Sequence, residues 1–403
     1  MPITSSSSRS SEPAASTCDT RITRLIHGDR VPGTPVPLAT PIFETTTYLF
    51  ESAADVVAFN EGASDKYLYS RYGNPTVVAV EQALAGLDAA ETALLFSSGM
   101  AATATTLVAH LTTGDEVLCA AAIYGGTLHL LQDLLSRFGI TTRFVSAGEL
   151  AGLDSVVSER TRVVWFESPT NPTLRCVDIR AVASACRARG VLSVLDNTFA
   201  SPLNQQPLAL GVDLAMQSAT KYLNGHSDVT AGVVCGSRAL LAPIEQARRL
   251  LGTVMDPAPA YALGRGLKTL GVRMHRHNES AKALAEALAA DSRVSQVFYP
   301  GLASHPEHNL AAAQMNGFGG MVCIDLGGSY ERAARTFDRF KLIRRAASLG
   351  GVESLVSLPV LTSQWGHSDE QLKAAGVTKG MLRLSIGLED VADLLADLDQ
   401  ALG

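Results

Sequence analysis

Between Thr92 and Cys235, short apolar runs recur between helix-length segments: Thr92 to Phe96, Glu116 to Cys119, Thr141 to Val145, Arg162 to Phe166, Val191 to Leu195, Val212 to Met216 and Val229 to Cys235. Each run has the length of a strand and the near-continuous apolar character of one buried on both faces. The spacers are long enough for crossover helices. The alternation predicts βαβ units and a mainly parallel seven-stranded sheet with helices on both faces, an α/β fold.

The rhythm then changes. Ala260 to Leu288 reads as one long Ala- and Leu-rich helix interrupted by glycines, followed by strand-like Val294 to Tyr299 and Met321 to Leu326. Tyr330 to Phe340 reads as a helix, Met381 to Ile386 as a strand and Val391 to Leu402 as a closing helix, which suits a smaller α+β domain. The expected boundaries are 61–260 for the large domain and 261–403 for the C-terminal one. Residues 18–60 look irregular and are expected to embrace a neighbouring subunit. Residues 1–17, rich in Ser with Pro and Ala, read as a mobile tail.

With 403 residues, 46% of them apolar and 18% charged, the chain can bury a large core. A net charge of −6 without a basic run offers nothing to attract nucleic acid or anionic lipid. No apolar stretch is long enough to cross a bilayer and the N-terminal tail lacks a signal-type apolar core, so a cytoplasmic enzyme is expected. The six cysteines (Cys18, Cys119, Cys176, Cys186, Cys235, Cys323) show no CxxC spacing, which argues for reduced, mostly buried thiols. His275, His277, His305 and His308 lack matching acidic or Cys ligands, so no metal is assigned. Trp165 and Trp365 read as packing residues.

The chemistry concentrates where strands end. Ser218-Ala219-Thr220-Lys221-Tyr222 follows a predicted strand and precedes Gly225-His226-Ser227-Asp228, placing a lysine at the sheet edge where ligands of open α/β sheets gather. A lysine whose pKa is lowered there can form an imine with an aldehyde, while Ser218 and Thr220 can bond a phosphate. Taken alone, such a string is an ordinary surface loop. Asp196 ends the run Val191 to Leu195 at the same edge; it is either a helix cap or a carboxylate that pairs with a protonated pyridine nitrogen and keeps the ring an electron sink. Ser97-Ser98-Gly99-Met100-Ala101-Ala102 opens a helix directly after a strand, an arrangement that presents unpaired N–H groups to a phosphate. In Tyr124-Gly125-Gly126-Thr127 an aromatic before two glycines can stack on a flat heterocycle.

With these segments in this order, the sequence closely resembles the Cys/Met metabolism family of fold-type I pyridoxal-phosphate (PLP) enzymes, from about residue 20 onward. The motifs that carry the resemblance also include Tyr69 to Thr76 (YSRYGNPT), Glu167 to Pro172 (ESPTNP), Asp196-Asn197-Thr198, Arg265 to Leu270 (RGLKTL), Ser348-Leu349-Gly350-Gly351 and Arg383 to Gly387 (RLSIG). The resemblance implies that Lys221 carries PLP as a Schiff base and shuttles protons, and that Asp196 pairs with the pyridine nitrogen. It implies that Gly99 and Met100 give N–H bonds to the phosphate, with Ser218 and Thr220 adding hydroxyls. Tyr69 and Arg71 resemble the pair that reaches the same phosphate from the adjacent protomer, so a homotetramer built as a dimer of dimers is expected. Tyr124 would stack on the ring and serve as acid or base near the leaving group, and Asn171 would bond the ring's 3-oxygen. Arg383, helped by Ser348 and Asn171, would clamp the carboxylate of a small amino-acid substrate.

Members of this family divide between γ-elimination on a sulfur-containing or γ-substituted amino acid (cystathionine, methionine or homocysteine γ-lyases) and γ-replacement (cystathionine γ-synthases and O-acylhomoserine sulfhydrylases). Many methionine γ-lyases carry a cysteine where this chain has Gly126. Many cystathionine-handling members have a glutamate where it has Ala347, which points to a smaller or less polar γ-substituent. The favoured expectation is a γ-lyase, with γ-replacement as the alternative. A scaffold without chemistry has no use for this constellation, and the Tyr69 and Tyr124 motifs point away from an aminotransferase.

Overall fold

A computed structural model of the chain describes residues 21–27 and 37–403. The expected tail at 1–17 and Cys18 lie outside the described residues. The larger sheet comprises β1 (Thr92–Phe96), β2 (Glu116–Ala120), β3 (Thr141–Val145), β4 (Thr161–Glu167), β5 (Leu192–Asp196), β6 (Leu214–Gln217) and β7 (Gly232–Gly236) in the order β1-β7-β6-β5-β4-β2-β3. All the strands are parallel except β7, which runs antiparallel to β1 and β6. A non-helical segment, 218–231, returns the chain from β6 to β7, so no crossover helix reverses its direction.

The apolar runs are continuous because both faces of the sheet are covered. Leu94 and Phe96 join a cluster with Leu107, Trp165, Leu241 and Ile244 on one side, whereas Ala93 and Leu95 pack with Val80, Leu84 and Leu263 on the other. Farther along the sheet, Leu118, Val164 and Phe166 meet Ile179, Val182 and Cys186 of the helix Ile179–Arg189. The described cysteines, Cys119, Cys176, Cys186, Cys235 and Cys323, are all buried free thiols.

The second sheet comprises β8 (Gln296–Phe298), β9 (Met321–Asp325), β10 (Arg344–Arg345), β11 (Leu355–Ser357) and β12 (Met381–Ser385), ordered β10-β11-β12-β9-β8. It packs on the helices Leu270–Ala289, Tyr330–Arg339 and Val391–Leu402 through Leu284, Leu288, Ile324, Leu382, Leu384 and Leu398. No helix among the described residues is long and apolar enough to cross a membrane.

Three local expectations are corrected. The single helix expected over Ala260 to Leu288 is two, Pro257–Leu267 and Leu270–Ala289. At the break, Gly266 presses against the Asn224 carbonyl. The Arg273 guanidinium meanwhile donates to the carbonyls of Tyr222 (2.7 Å), Leu223 (3.2 Å) and Gly266 (2.9 Å). Before residue 60 the chain is not wholly irregular: Ala53–Asn60 is a helix capped by Ser52, whose hydroxyl accepts from Asp55 N–H. Trp165 is a core residue, but Trp365 is 69% exposed on the turn that carries Gly366 at φ +83°.

Candidate active site

Because β1, β2, β4, β5 and β6 share one direction, the segments that follow them converge on one sheet edge. They enclose a cavity of about 560 Å³ lined by Gly99, Met100, Tyr124, Glu167, Asn171, Asp196, Ser218, Thr220 and Lys221. Ala347, Ser348, Thr362, Ser363 and Arg383 also line it, so the second sheet closes the opposite wall.

At one end lies the start of the helix Gly99–His110. Ser98 caps it, taking Ala101 N–H on its hydroxyl (3.0 Å) and Ala102 N–H on its carbonyl (3.1 Å). No acceptor among the described residues meets the N–H groups of Gly99 and Met100, which are left for a ligand. A Cβ on Gly99 would lie 2.9 Å from Ser218 Cβ and Oγ, so the two loops can abut only because Gly99 has no side chain. Ser218 N–H donates to Thr198 Oγ1 (2.8 Å), and Thr198 N–H donates to Asp196 Oδ1 (3.0 Å), tying this end to the acidic one. Thr220 lines the cavity, but its hydroxyl donates to Ala231 O (3.1 Å) and accepts from Ala231 N–H (2.9 Å). It must turn away from Ala231 to donate to a phosphate.

Lys221 stands in the middle. Desolvation, then the nearby Arg383 guanidinium, brings its ammonium down to about 8, and its Nζ donates to Ser348 Oγ at 2.8 Å. Asp196 ends β5 in register with Glu167, which ends β4. Desolvation raises both carboxyls, and the Asp196 charge pushes Glu167 further up. Glu167 Oε1 accepts the Tyr124 N–H at 2.7 Å. The Tyr124 ring is free to lie over the cavity because Gly126 has no side chain: a Cβ there would sit 2.5 Å from Tyr124 Cε1 and 3.0 Å from Met100 Sδ.

Arg383, on β12, is 7% exposed and pairs with no carboxylate among the described residues. Its guanidinium donates to Asn171 Oδ1 (3.0 Å) and Ser348 O (3.2 Å), and burial lowers its pKa. Ser348 holds φ +102°, a conformation rare for a residue with a side chain. A buried, unpaired guanidinium beside a cavity is costly unless an anion joins it.

The structure therefore gathers Lys221, Asp196, Tyr124, Gly99, Met100, Asn171, Ser218, Thr220, Ser348 and Arg383 around one cavity. Tyr69 and Arg71 are not in its lining. Arg71 lies over the rings of Tyr69 (5.7 Å) and Tyr72 (5.1 Å) and donates to Arg249 O at 2.9 Å. Glu167 and Thr198 belong to the site although no motif gives them a task; the signal that marks them is their place at the end of β4 and just beyond the end of β5. His277, among the histidines, is structural: it bonds Ile386 O (2.7 Å), and burial lowers it to about 4. PLP fits the donor set, with free N–H groups for a phosphate, a carboxylate for a pyridinium, an amine of lowered pKa for an aldehyde and an unpaired guanidinium for a substrate carboxylate.

Comparison with known proteins points the same way. The family model for Cys/Met metabolism PLP-dependent enzymes matches residues 22–403. The chain is 42% identical to the chloroplastic cystathionine gamma-synthase 1 of Arabidopsis thaliana over 91% of its own length, and it spans 65% of that protein's length. It is 41% identical to the L-methionine gamma-lyase of Pseudomonas putida, covering 94% of this chain and 96% of that one. The crystal structure of metB from Corynebacterium glutamicum superposes with a TM-score of 0.89 at 38% identity, covering 95% of this chain and 98% of that one.

Proposed function

The chain belongs to the Cys/Met metabolism PLP-dependent enzymes, and from that premise we propose that it catalyses γ-elimination on an amino acid with a small or uncharged γ-substituent, such as methionine, giving a 2-oxo acid, ammonia and the leaving group. One observation carries the choice of γ-substituent. Apart from Glu167, Asp196, Lys221 and Arg383, no charged side chain among the described residues lines the cavity, and Ala347 lines it at the position where many cystathionine-handling family members carry a glutamate. Similarity to a cystathionine gamma-synthase favours a second reading, γ-replacement by a thiol.

When bound, PLP supplies an electron sink for the bond broken at Cα. The residues of the chain divide the remaining work. Lys221 holds the cofactor covalently, and its amine then moves protons at Cα and Cβ, a task suited to a group near pKa 8 that Ser348 Oγ holds at 2.8 Å. Asp196 keeps a proton on the ring nitrogen. The N–H groups of Gly99 and Met100, with the Ser218 and Thr220 hydroxyls, hold the phosphate. Tyr124 covers the ring face and gives or takes the proton at the leaving group, and Asn171 meets the ring's 3-oxygen. Arg383 takes the substrate carboxylate in a forked contact.

A second copy completes the site by delivering Tyr69 and Arg71 to the phosphate, and two such dimers form a tetramer. Their position away from their own cavity supports this, as do the exposed apolar side chains Leu38, Leu49 and Leu250. The buried free thiols suit a reducing compartment, and we place the enzyme in the cytoplasm.

The test supplies the holoenzyme with methionine, cystathionine and O-acetylhomoserine, each with and without cysteine or sulfide. Formation of 2-oxobutanoate without a thiol is expected. A dominant thioether product would favour replacement and overturn the elimination reading.

A further inference from the structure

Among the described residues lining the cavity, Glu167 is a buried carboxyl with no part in holding cofactor or substrate. β4 and β5 are parallel and pair Glu167 with Asp196, so the two side chains leave the same face of the sheet next to each other. Glu167 is 4% exposed. Its Oε1 takes the Tyr124 N–H at 2.7 Å, and the main chain of Asn171 lies near enough to the same carboxyl to favour its charged form. Tyr124 follows β2 and Asn171 follows β4, while Asn171 Oδ1 receives Arg383 at 3.0 Å. One carboxyl therefore joins the loop that carries the ring-facing aromatic to the strand end that carries Asp196. It does so through a main-chain N–H group, which leaves the Tyr124 ring free for a ligand.

We propose that Glu167 is a positioning residue of this site, fixing the backbone of Tyr124 against the Asp196 strand end by reach rather than by charge. This rests on the PLP reading of the cavity. Neither carboxyl has a Lys or Arg in ion-pair contact among the described residues, and two adjacent carboxyls in a desolvated site do not both ionise readily. The buried Cys119 thiol on β2 also faces Glu167 and offers no cation, and Lys221 and Arg383, which line the same cavity, form no ion pair with either carboxyl. Asp196 receives the Thr198 N–H and meets the ring, so the negative charge belongs there and the proton belongs on Glu167. A glutamine keeps the length and the carbonyl of a protonated glutamate. An aspartate keeps the acidity but falls short of Tyr124 N.

The experiment compares wild type with Glu167→Gln, Glu167→Asp and Glu167→Ala as full-length proteins loaded with PLP. It reads the PLP dissociation constant and the visible circular dichroism of the bound cofactor, which reports ring orientation; urea midpoints of the cofactor-free forms check folding. The glutamine variant should bind PLP within about threefold of wild type with an unchanged spectrum. The aspartate and alanine variants should bind about tenfold more weakly with an altered spectrum, and either serves if the other does not fold. Wild-type behaviour of the aspartate or alanine variant would overturn the proposal, as would a glutamine variant as weak as they are. A wild type that takes up no PLP would overturn this proposal and the site reading together, which separates the two failures.

Discussion

Replacing Arg383 with methionine separates binding of a substrate carboxylate from stability of the fold. The substitution keeps the volume on β12 but removes a buried guanidinium that has no carboxylate partner among the described residues and bonds only Asn171 Oδ1 and Ser348 O. Leaving Asn171 Oδ1 without a donor costs about 1–3 kcal/mol. Relief of an unpaired buried charge returns several kcal/mol. The urea midpoint of the cofactor-free variant should therefore equal or exceed that of wild type. Catalysis should suffer, because truncating one partner of a buried, hydrogen-bonded charge pair costs roughly 2–5 kcal/mol, or about 30- to several-thousand-fold in kcat/KM. The assay follows 2-oxo acid release at subsaturating substrate, with PLP absorbance checking that the cofactor is still bound. The decarboxylated analogue, an amine without the carboxylate, should bind wild type and variant alike. A kcat/KM within threefold of wild type, or a large drop in the urea midpoint, would refute the assignment.

The Lys221 ammonium, lowered from 10.5 to about 8, sets the pH at which the cofactor-free protein captures PLP. Below pH 8 the capture rate should rise about tenfold per pH unit and level off above it, and a flat profile would contradict this. Because the unfolded chain holds this proton up to about pH 10.5 and the folded chain only to about 8, stability should also rise with pH between those values. Elsewhere in the fold, Glu81 Oε1 pairs with Arg248 Nη1 at 2.6 Å and also receives Leu95 N–H at 2.8 Å. Glu81→Leu should destabilise by about 3–5 kcal/mol by stranding a buried guanidinium, and an unchanged denaturation midpoint would refute that account. For the shared site, Arg71→Ala and Lys221→Ala should each be inactive alone. Co-refolded mixtures should regain about a quarter of wild-type activity, from hybrid dimers with one intact site each. No recovery would argue against a partner-supplied Arg71.

Apolar runs in the sequence place every strand of the larger sheet to within a few residues, because burial on both faces leaves little freedom in composition. The direction of β7 is not in that signal: its run looks like those of the parallel strands, and only the length and fold of 218–231 decide it. The break between Leu267 and Leu270 depends on Arg273 reaching back to residues 222 and 223, contacts of long sequence separation. In the site, Lys221 and Asp196 are legible because their side-chain types match one chemistry at successive strand ends, whereas Arg383, inside β12 of the second sheet, is legible only through the family resemblance. Glu167 and Thr198 are not, because they act on backbone N–H groups of neighbouring loops. Trp365 shows the limit of reading a large apolar residue as core: its turn carries it outward.

Borohydride reduction of the PLP-loaded protein, followed by proteolysis and mass spectrometry, addresses the central claim directly. The account predicts that the reduced cofactor is found on the peptide containing Lys221 and on no other lysine. Recovery of the label elsewhere, or of no covalently attached cofactor from a protein that turns over substrate, would contradict it.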